Sequence, residues 1–388
     1  MGRTRGFRLF RKFRDRLAGR RGQALAEREP VPRERRLVLH VGGPKCGSSA
    51  IQAALAANNE RLAARGVLVA SDAMDAAQLI TYGQVGYFRE MGDRPTCVEE
   101  LTHRFKALAV VMDDRAADTL ILSAENLLLQ PGAAAMVIPA ARAAGFLPDV
   151  FAYVRRRDDF LIAAWQQWGV KTHASPEEFW QDFDFSGWLP ALMSWEEQVG
   201  RQSLKVFPYR RDFFPDGDVT VHFMQVIGLH SPEMVRPAPA NPSCNEHLTD
   251  LLNRVRDLFS GGHDNDVLDK LAQTIGPAAF KAGSGSYFLT LEQRRAVLEQ
   301  ARADDEAVKA RYVPQLGAAP LFPPLRPEQV VECSDLEKLR AENALLLRAI
   351  YSLNLRVSQI ETATPATPSW RRFLPKRRSG VRLDQADR

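Results

Sequence analysis

Leu37–Gln52 reads LVLHVGGPKCGSSAIQ, and the rest of the chain takes its meaning from this stretch. Leu37, Val38, Leu39 and Val41 form a short apolar run, the pattern of a strand buried on both faces. Gly42, Gly43 and Pro44 make a tight turn, followed by Lys45, Cys46, Gly47, Ser48 and Ser49. An Ala-rich helix is predicted from Ala50 to about Asn58. A strand that enters a helix through a glycine turn gathers unpaired backbone N–H groups, and the helix dipole adds partial positive charge. Ser48 and Ser49 add hydroxyl donors, and Lys45 adds a full charge. The stretch therefore reads as an anion site. The alternative, a plain strand-to-helix connector, gives the lysine and the serine pair no purpose.

Outward from this loop, strand and helix patterns alternate. Val67–Ala70, Thr119–Ser123, Val150–Val154 and Leu204–Tyr209 read as strands. Helices are predicted over 98–115, 133–145, 160–170, 179–200, 219–227, 247–259 and 291–312. Such alternation predicts an α/β fold, a central parallel sheet flanked by helices. Ligands of such sheets sit at the carboxyl ends of the strands. The Lys45 loop, the turn at Glu125 and the turn at Arg155 all follow strands, so the three are expected to converge.

A chain of 388 residues with 45% hydrophobic content is long enough for one large or two ordinary domains. Its net charge of +5 suits anionic partners without demanding nucleic acid, and no nucleic-acid-reading motif accompanies it. Cys46, Cys97, Cys244 and Cys333 are widely spaced, which speaks for reduced thiols and against a disulfide scaffold or a zinc site. No apolar run approaches a membrane span and no signal core is present, so a cytoplasmic location is expected.

Five segments are expected. Residues 1–36 form a basic arm, disordered or amphipathic, with Phe7, Phe10 and Phe13 near helical spacing. The α/β domain covers 37–313, and 314–332 is a proline-rich linker. A short coiled coil at 333–361 has Leu336, Asn343, Ile350 and Val357 at a positions and Leu339, Leu346, Leu353 and Ile360 at d. Branched a residues with Leu at d favour a parallel homodimer, and a single Asn at a fixes its register; docking on the protein's own core is the alternative. Residues 362–388 form a basic tail that, with the arm, suits peripheral contact with an anionic inner membrane face.

Which anion the loop suits depends on where the lysine sits. Gly42 and Gly47 have the G-x-x-x-x-G spacing of a nucleoside triphosphate loop, but Ser48-Ser49 follows instead of Lys-[Ser/Thr]. Lys45 lies two residues before the second glycine. HVGGPKCGSSAIQ closely resembles the 5′-phosphosulfate loop of sulfotransferases that use 3′-phosphoadenosine 5′-phosphosulfate (PAPS), whose bacterial branch reads H-x-G-x-x-K-T-G-[ST]-[ST]-x-L-Q. Cys46 stands where that pattern has Thr or Ser. A second segment, YVRRRDDFLIAAWQQWG at Tyr153–Gly169, resembles the family's 3′-phosphate site, an Arg at a strand end with a Ser eight residues on. Arg155 matches the Arg, and Ala163 stands in place of the Ser.

The resemblance spans about 37–312 and implies a P-loop-NTPase-like sulfotransferase fold, with PAPS as cofactor and no metal. It implies cofactor contacts from Gly43, Pro44, Lys45, Cys46, Gly47, Ser48, Ser49 and Arg155. Arg156 or Arg157 is expected to make up for the hydroxyl missing at Ala163. Glu125 falls where the resemblance places the catalytic base, with His40 as runner-up, and Lys45 is expected to stabilise charge on the leaving phosphate. The expected acceptor is a carbohydrate or glycolipid hydroxyl. His173 is expected on an acceptor-side loop, Trp165, Trp168 and Trp188 offer faces for sugar stacking, and Lys281–Tyr287 reads as a glycine-serine loop beside the cofactor. Two other functions fit parts of the pattern. One is a non-catalytic sulfotransferase-like scaffold, the other a nucleotide-binding kinase or GTPase.

Overall fold

The computed structural model describes residues 34–75, 97–125, 127–183, 185–237, 245–275 and 286–363. The basic arm, the basic tail and residues 281–285 of the glycine-serine loop lie outside the described residues, apart from residues 34–36 and 362–363. The elements run β1 (Arg35–His40), α1 (Ser48–Ala57), α2 (Asn59–Ala63), β2 (Val67–Val69), α3 (Cys97–Asp114), β3 (Thr119–Ser123) and α4 (Ala133–Ala143). Next come β4 (Phe146–Val154), α5 (Arg157–Ala164), a π-helical turn (Trp165–Gly169), α6 (Pro176–Asp182), α7 (Trp188–Val199), β5 (Leu204–Pro208) and α8 (Val219–Val226). The chain continues through α9 (Glu246–Arg254), α10 (Asp266–Ile275), α11 (Leu291–Tyr312) and α12 (Asp335–Ala363).

The five strands form one parallel sheet in the order β2-β3-β1-β4-β5. Leu37–His40 of β1, all of β3 and the last five residues of β4 are buried without alternation, as central strands covered on both faces must be. The edges are treated differently. β2 has only three residues, and β5 alternates buried with exposed positions and ends in Pro208, which suits strands with one unpaired side. His40 lies level with Ser123 of β3 and Phe151 of β4, so the residues after all three strands emerge along one edge. From β1 the chain travels toward β2, and from β4 toward β5, in opposite directions along the sheet. The carboxyl edge between β1 and β4 is thus a topological switch point.

The chain forms two compact units that interleave in sequence. The first comprises 1–156, 186–241 and 301–323, and the second 157–185, 242–300 and 324–388. The expected α/β span 37–313 therefore holds residues of both units, and the proline-rich segment is divided between them. Leu321 and Phe322 of that segment are buried, so composition alone misses its packing. The sheet belongs to the first unit, with α4 and α7 packed on β4, α3 on α4, and α1 on α8.

The second unit has its own apolar cluster, including Trp165, Phe179, Leu248, Leu252, Phe288 and Leu289. In the same unit the guanidinium of Arg294 donates to Asp158 and Asp159, both at 2.6 Å, with Asp158 fully buried. The predicted helix over 179–200 is two helices, α6 and α7, one in each unit. Helix α10 was not expected from the sequence. Among the described residues no helix is long and apolar enough to cross a membrane.

Candidate functional site

The loop after β1 is built around a turn from Gly43 to Cys46, closed by Cys46 N–H donating to Gly43 O at 3.0 Å. Pro44 takes the second position, where a fixed negative φ is wanted, and Lys45 the third, with φ of 64°. A type II turn wants glycine at that third place. A lysine there holds a left-handed backbone at a penalty of about 1–2 kcal/mol, and strain of this kind collects at functional sites. Gly43 admits no side chain: a Cβ would stand 2.3 Å from the carbonyl oxygen of Tyr153 on β4. A Cβ on Gly42 would likewise meet the Glu125 carbonyl at 2.7 Å. The loop thus lies directly on the chain leaving β3 and β4.

Polar contacts repeat this convergence. Lys45 N–H donates to Glu125 Oε1 at 3.4 Å, and the Arg155 guanidinium donates to the Lys45 carbonyl at 2.8 Å. Trp188 Nε1–H in turn donates to the Arg155 carbonyl at 2.9 Å, steadying the backbone beneath that arginine. The backbone of Lys45 is thus bracketed by the Glu125 carboxylate and the Arg155 guanidinium, so the residues expected from three strand ends meet within the first unit. Cys46, the last residue of the turn, is fully buried. Burial pushes its thiol well above the ordinary range despite the opposing pull of Arg155 and Lys45, which keeps it neutral.

Helix α1 starts at Ser48, with Gly47 as a left-handed N-cap that supplies no side-chain bond to the helix N–H groups. Ser48 is 2% exposed, and its hydroxyl has no hydrogen-bond partner among the described residues. One turn further on, both amide atoms of buried Gln52 lack partners as well. A hydroxyl without a protein partner at a helix N-terminus is a donor of the kind that suits an anion. Pro44 is buried, and Lys45 and Ser49 are half-buried.

Other expected residues are placed elsewhere. His40 is buried in β1, bonded through Nδ1 to Ser123 Oγ at 2.8 Å, and burial pushes its pKa down to about 3. It is a neutral core histidine. Arg156 is buried and donates to the Pro323 carbonyl, while Arg157 donates to the Phe185 carbonyl and lies 4.0 Å over that ring. Neither therefore duplicates Arg155. Asp158 and Asp159, next along the chain, accept from the Arg294 guanidinium.

Ala163 is half-buried on α5 and belongs to the second unit, as does His173, whose Nε2 lies 3.6 Å from Asp182. Trp165 and Trp188 are fully buried and offer no face to a sugar, and half-buried Trp168 is stacked on Phe183. Tyr209 was missed. It follows β5, a Cβ on Gly47 would lie 2.8 Å from its ring, and Arg155 stands 5.7 Å over that ring. The strand-end rule that singled out Lys45, Glu125 and Arg155 points to Tyr209 too.

No family model matches the chain, and no solved structure matches it. A protein of Archaeoglobus fulgidus described as an uncharacterized protein is 27% identical over 167 residues, covering 42% of this chain. The match spans 45% of that protein's length, under half of it. No group of His, Cys, Asp or Glu residues suited to a metal ion occurs among the described residues.

Proposed function

We propose that the chain is a sulfotransferase that moves a sulfuryl group from PAPS to a hydroxyl of a carbohydrate or glycolipid, on a P-loop-like sulfotransferase fold. The observation that carries this reading is the meeting of Lys45, Glu125 and Arg155 beside a helix N-terminus with an orphaned serine hydroxyl. The parallel order β2-β3-β1-β4-β5, with the loop at its switch point, supports it. The N-terminal N–H groups of α1, Ser48, Ser49 and Lys45 would hold the 5′-phosphosulfate, and Arg155 the 3′-phosphate. In the reaction the acceptor oxygen attacks sulfur in line and a new S–O bond forms. The bond from sulfur to the phosphate oxygen breaks, Glu125 takes the hydroxyl proton, and 3′-phosphoadenosine 5′-phosphate leaves with its charge balanced by Lys45.

One observation favours a second reading, a sulfotransferase-like scaffold without turnover. The Arg155 guanidinium is already engaged by the Lys45 carbonyl. Incubation of the intact protein with sulfur-labelled PAPS and a panel of mono- and oligosaccharide and glycolipid acceptors separates the two. Label transfer that disappears in Glu125→Gln supports the enzyme. A chain that neither binds the cofactor nor transfers label to any acceptor supports the scaffold.

A further inference from the structure

The C-terminal helix α12 is 29 residues long, and its two faces have different neighbours. One stripe is docked in the second unit on α9 and α10. Along it Glu342 is buried and accepts from Arg254 at 2.8 Å, Leu345 joins the apolar cluster, and the Ser352 hydroxyl donates to the Thr274 carbonyl. These are c and g positions of the heptad. The a and d seam lies about 100° further round the helix, far enough for a second helix to reach it. Its seven apolar members, from Leu336 to Ile360, are each 47–65% exposed, and Asn343 is exposed among them. Own-core docking and an open heptad seam, alternatives by sequence, coexist here.

We propose that this seam pairs with the same seam of a second copy of the chain as a parallel two-stranded coiled coil. Branched residues at a with Leu at most d positions favour two strands. Charge complementarity points to a second copy: Asp335 at g faces Arg340 at e of the other helix by the heptad count. An antiparallel pairing of full overlap also sets Asp335 against Arg356, so charge alone does not choose direction. Asn343 does. Parallel helices bring it opposite its own copy, where two amides satisfy each other, whereas the antiparallel register faces it with Leu353 and leaves the amide buried and unbonded.

Sedimentation velocity on the full chain over a wide concentration range reads the stoichiometry, and the double variant Leu346→Glu, Leu353→Glu places charge in the seam without touching the docked stripe. A dimer in the parent and a monomer of unchanged far-ultraviolet circular dichroism in the variant are expected. Direction is read by oxidative cross-linking in a Cys333→Ser background. Leu336→Cys alone forms a covalent dimer if the helices are parallel, whereas a link found only on mixing Leu336→Cys with Ile360→Cys chains marks the antiparallel pair. A monomeric parent, a trimer, a dimer that survives the double variant, or a link seen only in the mixture each overturns the proposal.

Discussion

Replacing Lys45 by glycine and by alanine removes the same charge but treats the backbone differently. At φ of 64° alanine keeps the left-handed penalty that lysine carries, whereas glycine does not. Relief is worth about 1–2 kcal/mol, and glycine's greater freedom in the unfolded chain takes back about 0.5–1 kcal/mol. Lys45→Gly should therefore be more stable than Lys45→Ala by about 0.5–1 kcal/mol. With a denaturant slope near 3 kcal/mol per molar, that is roughly 0.2–0.3 M in the urea midpoint, followed by tryptophan fluorescence with Trp188 buried in the same unit. Both variants should lose cofactor binding alike, so stability and binding move apart. A glycine variant no more stable than the alanine variant would refute the strained turn at Lys45.

Gly43→Ala should destabilise the first unit by at least about 2 kcal/mol, since the added methyl meets backbone carbonyl oxygen at 2.3 Å and no side chain can yield; an unchanged urea midpoint would contradict this close approach. Arg294→Met removes a buried cation bonded to fully buried Asp158 and should cost about 3–5 kcal/mol, while adding Asp158→Asn should restore part of the loss by the same denaturation assay. His40 and His222 are pushed down to about 3 and about 4, chiefly by burial, so between pH 6.5 and 4.5 the unfolded chain takes up protons that the folded chain refuses. Stability is complete above about pH 6.5 and falls below it. His222→Gln should flatten that limb by up to about 1.4 kcal/mol per pH unit, and an unaltered slope would show that His222 does not contribute.

Contiguous patterns were legible in the sequence, and pairings across long separations were not. Strand, glycine turn and helix at 37–52 form a local signal that every residue supports, and Thr119–Ser123 matched to the residue. With Val150–Val154 as a third strand, the strand-end rule sets Glu125 and Arg155 beside Lys45 from the sequence. The interleaving of the two units depends on contacts such as Arg294 with Asp158, 136 residues apart, which no periodicity encodes. The break in the 179–200 helix has a similar origin. Asp304, more than a hundred residues later, accepts from the N–H groups of Trp188 and Leu189 at 2.8 and 3.0 Å and so caps α7 from another helix. Gly187 fits there because a Cβ would lie 2.6 Å from that carboxylate. The three arginines at 155–157 read as one basic turn, yet each goes to a different carbonyl, because a strand end and a helix start point successive side chains apart.

The most direct measurement is calorimetric titration of the intact chain with 3′-phosphoadenosine 5′-phosphate, repeated on Lys45→Ala and Arg155→Ala. Saturable heat at one site per chain, lost or weakened at least tenfold in each variant, is the expected result. Absence of heat with the intact protein, or equal affinity in all three, would contradict the assignment of this loop to an adenylate bearing phosphate at both ends.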